Sequence, residues 1–337
     1  MNTLPCRLGI IGAGRIGRLH AENIQSRLPQ FQLLGIADPY LDKAWVSHVG
    51  IPLCSASPEV LLTHPEVDAV LIASPSSLHV EHLLMASEAG KAIFCEKPLG
   101  LTEDDILSAL IAVKRNNTLL QIGFNRRFDP HFAMIQQRVA HGEIGRAQVL
   151  KITSRDPHCP SKDYIAQSGG LFMDMTIHDF DMARFIMGSE VVEVYASGSV
   201  LINPDVEAFG DVDTAIVQLR FANGALGVID NSRQAVYGYD QRLEIFGSEG
   251  MLWADNQLQH GVHQLSQHNH TSANPQYFFL ERYQQAYLNE LSAFYQAFRE
   301  QTPSLVPGSA GLQALRIAFA AQASLVHHKP VSVSIDA

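Results

Sequence analysis

The stretch Arg7-Leu8-Gly9-Ile10-Ile11-Gly12-Ala13-Gly14-Arg15-Ile16-Gly17 decides the fold of the N-terminal part of the chain. Its first five residues are an apolar run that predicts a buried strand, and a helical pattern begins at the last glycines. Gly12 permits a tight turn, Gly14 lets the backbone approach a pyrophosphate, and Gly17 lets helix and strand pack closely. The phosphates of such a ligand bind the free N–H groups at the start of the helix.

A second predicted strand, residues 32–37, ends on Asp38, about 20 residues after the last glycine, where dinucleotide-binding folds carry an acid. A carboxylate there accepts hydrogen bonds from the adenosine ribose hydroxyls and repels the 2′-phosphate of NADP. The next lysine or arginine after Asp38 is Lys43. We therefore predict NAD as the cofactor. The alternative is a βαβ unit that binds no nucleotide.

Apolar strands continue to alternate with helices up to about residue 125. Strands are predicted at 69–74, 92–96 and 119–124, and helices at 78–89 and 103–115. Such near-continuous apolar strands predict a parallel sheet that is covered on both faces. Ligands bind beyond the carboxyl ends of these strands, which places Ser74 and Lys97 on the cofactor side.

After about residue 125 the strands alternate between apolar and polar residues and are joined by short turns, which predicts a largely antiparallel sheet. Strands are predicted at 149–156, 193–200, 214–221, 225–230, 241–246 and 251–254, helices at 174–187 and 277–300, and a polar, His-rich loop at 261–274. The predicted fold class is α/β plus α+β. A Rossmann domain of residues 1–124 would bind NAD, and a domain of residues 125–337, built on a large, mainly antiparallel open sheet, would bind substrate and form an oligomer.

Asp174 and His178 are four residues apart in the segment 169–184, Gly-Gly-Leu-Phe-Met-Asp-Met-Thr-Ile-His-Asp-Phe-Asp-Met-Ala-Arg. In a helix, residues i, i+4 and i+7 share one face, so Asp181 is expected beside them. A carboxylate next to an imidazole is suited to take a proton from a hydroxyl. The alternative is a buried amphipathic helix in which the two side chains satisfy each other.

Composition excludes several classes of protein. The chain has 337 residues, 46% of them hydrophobic and 17% charged, and a net charge of −10, which fits a globular protein of two domains. No basic cluster offers a nucleic-acid surface. The apolar segment 311–326 is interrupted by polar residues and is not expected to span a membrane. The cysteines (Cys6, Cys54, Cys95, Cys159) lack CxxC spacing, so we expect reduced thiols, no metal site and a cytoplasmic location.

The order of these motifs resembles the glucose–fructose oxidoreductase / inositol dehydrogenase (GFO/IDH/MocA) family over nearly the whole chain. The resemblance is carried by the glycine motif, Asp38, Glu96-Lys97-Pro98, and Gly169-Gly170 followed by Asp174 and His178. The segments 154–157, 168–184 and 231–242 are most similar to bacterial inositol 2-dehydrogenases, so they bear on the substrate.

The resemblance implies roles for individual residues. Lys97, Asp174 and His178 are expected to be catalytic: the imidazole would take the hydroxyl proton while hydride passes to the nicotinamide. The expected cofactor-binding residues are Gly12, Gly14, Arg15, Ile16, Gly17, Asp38, Ser74, His79, Glu96 and Lys97. The expected substrate-binding residues are Arg127, Asp156, His158 and Tyr237. His158 stands where the inositol enzymes are expected to have a small amide, which leaves the preferred stereoisomer open.

The predicted activity is therefore NAD-dependent oxidation of myo-inositol to 2-keto-myo-inositol. The alternatives are a dehydrogenase of another inositol isomer or of a sugar, and a catalytically inactive NAD-sensing relative. The expected partner is a small-molecule polyol, with no nucleic acid and no membrane. Because the sheet of residues 190–254 needs cover on both faces, we also expect a homo-oligomer, dimer or tetramer, formed through its outer face.

Overall fold

The computed structural model describes residues 4–335, which form two compact units. The first unit contains the residues up to Asn125 together with Tyr287–Leu312, and the second contains Arg126–Ala286 together with the residues from Gln313 onward. We call Tyr287–Leu312 the return segment. The expected division placed all of residues 125–337 in one domain, whereas the return segment packs with the first unit. The reason is hydrophobic: its Leu291 and Phe294 are fully buried in the core of that unit.

The first unit contains a parallel six-stranded sheet with helices following its strands, as predicted. The strands are β1 (Cys6–Ile11), β2 (Phe31–Ala37), β3 (Leu53–Ser55), β4 (Ala69–Ile72), β5 (Ala92–Glu96) and β6 (Leu120–Gly123), in the order β3-β2-β1-β4-β5-β6. The helices are α1 (Arg15–Arg27), α2 (Lys43–Val49), α3 (Glu59–Leu62), α4 (His79–Glu88) and α5 (Glu103–Arg115). This strand order is that of a Rossmann fold.

The second unit contains a seven-stranded sheet that is mixed but mostly antiparallel, again as predicted. Its strands are β7 (Ala147–Arg155), β8 (Val191–Ser199), β9 (Thr214–Phe221), β10 (Leu226–Ser232), β11 (Asp240–Gly247), β12 (Met251–Ala254) and, from the end of the chain, Val331–Ser332. The order is β12-β11-β7-β10-β9-β8 followed by that last strand. Only the pairing of β7 with β10 is parallel within this described sheet.

The loop expected at 261–274 contains a small hairpin of β13 (His263–Leu265) and β14 (His270–Ser272), so that prediction was wrong. All six strand residues are exposed. A strand pair that buries neither face has no alternation of apolar and polar residues, and the sequence therefore carried no strand signal. The strand Val331–Ser332, at the edge of the seven-stranded sheet, is β15.

The remaining helices are α6 (Pro130–Ala140), α7 (Lys162–Ser168), α8 (Ile177–Met187), α9 (Phe279–Arg282), α10 (Gln284–Glu300) and α11 (Gly308–His327). The single helix expected at 277–300 is thus two helices, and most of α10 lies in the return segment. A π-helical turn, Phe172–Thr176, precedes α8. Within residues 4–335, none of the helices combines the length and the apolarity that a membrane crossing requires.

Candidate active site

The glycine loop between β1 and α1 is shaped by close backbone contacts. Gly12 has a φ of +103°, and a Cβ there would lie 2.5 Å from the carbonyl group of Ala73. A Cβ on Gly17 would lie 2.0 Å from the Gly12 carbonyl oxygen, so both positions require glycine. Gly14 differs, because a Cβ there would meet no atom within 4 Å. The space beside Gly14 is therefore open for a pyrophosphate, and the loop fits NAD.

Asp38 lies where β2 ends and is bonded to the glycine loop. Its Oδ2 accepts from the Ala13 N–H at 2.7 Å, and its Oδ1 accepts from the Tyr40 N–H at 2.7 Å. Arg15 and Ile16 form the first turn of α1, and the N-cap Gly14 has no side chain to cap their N–H groups. These donors and the Asp38 carboxylate are the groups that would hold the phosphates and the adenosine ribose.

His79, expected to bind the cofactor, is buried at the start of α4. Its Nδ1 lies 2.7 Å from the carbonyl oxygen of Pro98, and its Nε2 lies 2.8 Å from that of Ser74. Burial lowers the pKa of this imidazole, and the two carbonyl oxygens oppose that effect. The ring therefore lies between the segments that follow β4 and β5 and contacts both of them. A direct contact of His79 with the cofactor remains a prediction.

Glu96 is the last residue of β5 and points into the first unit. Its Oε1 lies 2.7 Å from Nε2 of His20 on α1. Its Oε2 packs so closely on β6 that a Cβ on Gly123 would lie 2.9 Å away. The next residue, Lys97, is half-buried, and the Lys97–Pro98 peptide bond is cis. A contact of Glu96 with the second ribose of the cofactor remains a prediction.

In the second unit, Asp174 is held by two side chains that sequence reasoning missed. The Tyr164 hydroxyl donates to its Oδ1 at 2.8 Å, and Nη1 of Arg233 donates to its Oδ2 at 3.0 Å. Arg233 is only 1% exposed. A signal for Arg233 existed, because it lies in the segment 231–242 that resembles the inositol enzymes. For Tyr164, on α7, the sequence carried no signal.

Asp156 belongs to the same electrostatic group. Burial raises the pKa of its carboxyl to about 6; the charge of Asp174 adds to that rise, whereas the charge of Arg233 opposes it. His178 is half-buried and is the second residue of α8, four residues after Asp174. The structure therefore brings Asp156, Asp174 and Arg233 together, with an imidazole on the helix that Asp174 precedes. A fixed carboxylate and an imidazole at this spacing are suited to proton transfer from a hydroxyl.

Asp181, which was expected on the same helix face as Asp174, has a different partner. It is fully buried and accepts two hydrogen bonds from Arg127, at 2.7 Å from Nε and 2.5 Å from Nη2. The π-helical turn that contains Asp174 changes the angular phase of the helix, so the i, i+7 relation of a regular helix does not apply. The Arg127 guanidinium is thus engaged in a bidentate ion pair, and its role toward substrate remains a prediction.

The neighbouring Arg126 forms a second buried ion pair, in which its Nη1 lies 2.5 Å from Oδ1 of Asp179. The other carboxylate oxygen of Asp179 accepts from the Asn231 amide at 2.9 Å. Arg126 also donates to the Ser154 hydroxyl at 3.2 Å. This network links α8 to the ends of β7 and β10, and it fixes the helix that carries His178.

The other two predicted substrate residues have different surroundings. His158 is exposed and stacks near Tyr277 and Phe278, with ring centroids 6.1 and 5.9 Å away. Tyr237 donates to Oδ2 of Asp240 at 2.6 Å and accepts from Arg155 at 3.2 Å. It lines a cavity of about 480 Å³ in the second unit, together with Asp240, Arg242, Asp255, Asn256, Leu258, Ser272, Ala273, Asn274 and Pro275. That both residues contact substrate remains a prediction.

Two family models match the chain. The model described as "Oxidoreductase family, NAD-binding Rossmann fold" matches residues 6–124. The model described as "GFO/IDH/MocA C-terminal domain" matches residues 132–253. The first match covers the parallel sheet and the glycine loop, and the second covers most of the mixed sheet and the segment with Asp174 and His178.

Individual relatives are similar over nearly their full lengths. A Bacillus subtilis protein named Uncharacterized oxidoreductase YrbE is 50% identical over 96% of both chains. A Thermotoga maritima protein named Myo-inositol 2-dehydrogenase is 46% identical over 97% of this chain and 98% of its own. A second B. subtilis protein, named scyllo-inositol 2-dehydrogenase (NAD(+)), is 35% identical over 98% of this chain and 96% of its own.

A solved structure is similar in fold as well as in sequence. It is a crystal structure of a putative myo-inositol dehydrogenase from Sinorhizobium meliloti 1021, with a TM-score of 0.93 and 39% identity. The match covers 98% of this chain and all of that one, at 100%.

Proposed function

Since the chain belongs to the GFO/IDH/MocA family of NAD-dependent oxidoreductases acting on CH–OH groups, we propose that it is an inositol 2-dehydrogenase that oxidises myo-inositol to 2-keto-myo-inositol. The observation that carries the proposal is the Asp174 carboxylate, fixed by Tyr164 and Arg233 in the helical segment that also presents His178. A relative named for this activity is 46% identical over nearly the whole chain, which supports the substrate class.

The proposal gives each catalytic residue one task. Bound NAD supplies the hydride acceptor. His178 accepts the proton of the substrate hydroxyl, and Asp174 stabilises the imidazolium that forms. Lys97 places its positive charge at the substrate oxygen, where negative charge develops as the carbon loses hydride. Asp156, with Arg127, His158 and Tyr237, is proposed to bind the other ring hydroxyls.

The test is an absorbance assay for NADH with purified enzyme and a panel of inositol isomers and aldoses. We expect the highest kcat/KM with myo-inositol. The His178→Ala variant should lose about 10²- to 10⁴-fold in kcat, the usual contribution of a positioned general base, and should bind NADH as tightly as the wild type. Turnover of an aldose but of no inositol would overturn the proposed substrate class. A His178→Ala variant with nearly full activity would overturn the proposed base.

Another inositol isomer is the second candidate substrate, because a relative that is named for scyllo-inositol is 35% identical over almost the same length. His158 supports keeping this alternative, since it replaces the small amide expected in the inositol enzymes. The same panel separates the two candidates. A higher kcat/KM with scyllo-inositol than with myo-inositol would identify scyllo-inositol as the substrate. An inactive NAD-sensing protein is disfavoured, because a sensor has no use for the side chains of Lys97, Asp174 and His178.

A further inference from the structure

A cluster of three buried titratable side chains lies in the first unit, and the proposed reaction gives none of them a role in proton or hydride transfer. His20 comes from α1, Glu96 from the end of β5 and Glu290 from α10 in the return segment. One nitrogen or oxygen atom of each lies within 4.8 Å of the others. Their exposed fractions are 0%, 9% and 0%. The rings of Phe94 and Tyr287 pack edge-on against His20, with centroids 5.6 and 5.7 Å away.

The contact between His20 and Glu96 is a hydrogen bond and not a pair of metal ligands. Its length is 2.7 Å from Nε2 to Oε1. Two ligands at about 2.0–2.2 Å from one tetrahedral zinc ion would lie more than about 3 Å apart. A proton therefore joins His20 and Glu96. The second carboxylate of the cluster, Glu290, takes no part in this hydrogen bond.

Glu290 is fully buried, and its surroundings favour an uncharged carboxyl group. Among residues 4–335, neither carboxylate oxygen of Glu290 has a hydrogen-bond partner. The nearby amide of Gln121 donates to the backbone carbonyl of Glu290, 2.8 Å away, and not to its side chain. Two titratable groups from other elements, Glu96 and His20, lie within 4.8 Å of it. Burial, and then the charge of Glu96, raise the pKa of Glu290 well above its ordinary value.

We propose that His20, Glu96 and Glu290 form a buried proton-binding site, in which Glu290 is a neutral carboxylic acid and directs its O–H toward Glu96. Glu96 then accepts a hydrogen bond from His20, and the neutral acid of Glu290 lies within 4.8 Å of it without adding a second negative charge. The bound proton holds the Glu96 side chain in place at the end of β5, directly before Lys97. Glu290 and His20 are thus positioning residues for this strand end. The site exists whether or not the substrate is an inositol.

The test compares the pH dependence of folding stability in the wild type and in Glu290→Gln. The substituted amide mimics the neutral acid in shape and in its donor, but it cannot release a proton. Because the pKa of Glu290 is higher in the folded protein than the value of about 4.3 in an unfolded chain, the folded state holds an extra proton between those two values. The wild type must therefore lose stability as pH rises through this window.

We expect the free energy of unfolding, measured by urea denaturation at a series of pH values, to fall more steeply in the wild type than in Glu290→Gln. Glu300→Gln is the matched control, because Glu300 is an exposed residue on the same helix; its curve should run parallel to that of the wild type. Parallel curves for the wild type and Glu290→Gln would overturn the proposal.

Infrared spectroscopy of the wild type keeps the proposal testable even if Glu290→Gln does not fold. We expect the carbonyl stretch of a protonated carboxyl group at neutral pH, shifted in heavy water. Absence of this band would overturn the proposal. So would a stoichiometric divalent metal found in the purified protein by elemental analysis and lost in Glu290→Gln, since the ligand would then be a metal ion.

Discussion

The buried Arg233 interacts with two acids of the candidate active site. Arg233 donates to Asp174, and its charge also opposes the burial that raises the pKa of Asp156. The backbone N–H of Arg233 is itself bonded to the carbonyl oxygen of Asp213, which fixes its position at the end of β10. The electrostatics of this site therefore depend in part on a side chain that the sequence motifs did not single out as functional.

The raised pKa of Asp156 predicts a pH dependence of substrate binding. Below its pKa of about 6 the carboxyl is neutral and is a poorer acceptor for a ring hydroxyl; above that value it is ionised. We therefore expect KM for inositol to fall as pH rises through about 6. In Asp156→Asn this step should disappear and KM should be higher at neutral pH. A wild-type KM that is constant from about pH 5 to about pH 8, a range that spans this pKa, would contradict the prediction.

Asp38 predicts the choice between NAD and NADP. Its carboxylate would face the extra phosphate of NADP, so we expect the wild type to use NAD far better. In Asp38→Ser/Pro39→Arg the repulsion is removed and a charge-assisted hydrogen bond of about 1.5–3 kcal/mol becomes available. The ratio of kcat/KM for the two cofactors should move toward NADP by roughly 10- to 100-fold. Wild-type kcat/KM values that are equal for both cofactors would rule this out.

The helical segment of residues 172–187 contains two kinds of helical turn. Its π-helical turn carries Asp174, and the regular helix α8 carries His178. π-turns occur as single irregular turns and often mark functional sites. The side chains after the turn are rotated from where a regular helix would place them, and Asp179 and Asp181 both point into the second unit as buried partners of arginines.

The elements of the fold were largely predictable from sequence, because apolar runs and turn residues act locally. β5 and α5 have the bounds that the pattern predicted, and Thr102 caps α5 by accepting from the Asp105 N–H. The three-residue strand β3 was missed, since so short a segment has no measurable period.

The candidate site was less predictable than the elements. The pairing of Arg127 with Asp181 and that of Arg233 with Asp174 join residues far apart in the chain, and no local pattern encodes such contacts. The π-helical turn was not predicted either, because the sequence pattern predicted one regular helix over residues 174–187. Sequence therefore proposed Asp174 and His178 as a candidate pair, but it did not predict Tyr164 and Arg233, which hold the Asp174 carboxylate.

The buried pair of Arg126 and Asp179 predicts that α8 depends on its anchor. Replacing Asp179 with Ala leaves the Arg126 charge buried and removes its main partner, which costs about 3–5 kcal/mol in comparable buried pairs. The free energy of unfolding from urea denaturation should fall by that amount. Glu143→Ala is the control, because it breaks an exposed pair with Arg138 at 2.7 Å, for which about 0–1 kcal/mol is expected. Equal losses in the two variants would contradict the argument.

The outer face of the seven-stranded sheet carries a group of exposed apolar side chains. Leu226, Phe246 and Met251 occupy one cross-strand row with Val149, and Trp253 lies in the next row. Leu226, Phe246, Met251 and Trp253 are each at least 40% exposed. Exposed apolar side chains grouped on one face are common at protein–protein interfaces, and a homo-oligomer formed through this face stays a prediction.

We expect light scattering to give the mass of a dimer or tetramer for the wild type at micromolar concentration. Phe246→Glu/Trp253→Glu places charges on this face and should shift the mass to a smaller species. Arg138→Ala, on the exposed surface of α6, should leave the mass unchanged. A monomer mass for the wild type would show that the sheet face is not an interface between copies.

The return segment has a consequence for the order of events during translation. A ribosome releases the whole parallel sheet of the first unit before it has made Leu291 and Phe294, which complete the core of that unit. Domains generally fold as units while the chain emerges, at about 5–20 residues per second. For the time that the ribosome needs to synthesise Arg126–Ala286, the nascent first unit therefore presents uncovered apolar surface to chaperones. A gene truncated after Asn125 would make that transient state permanent.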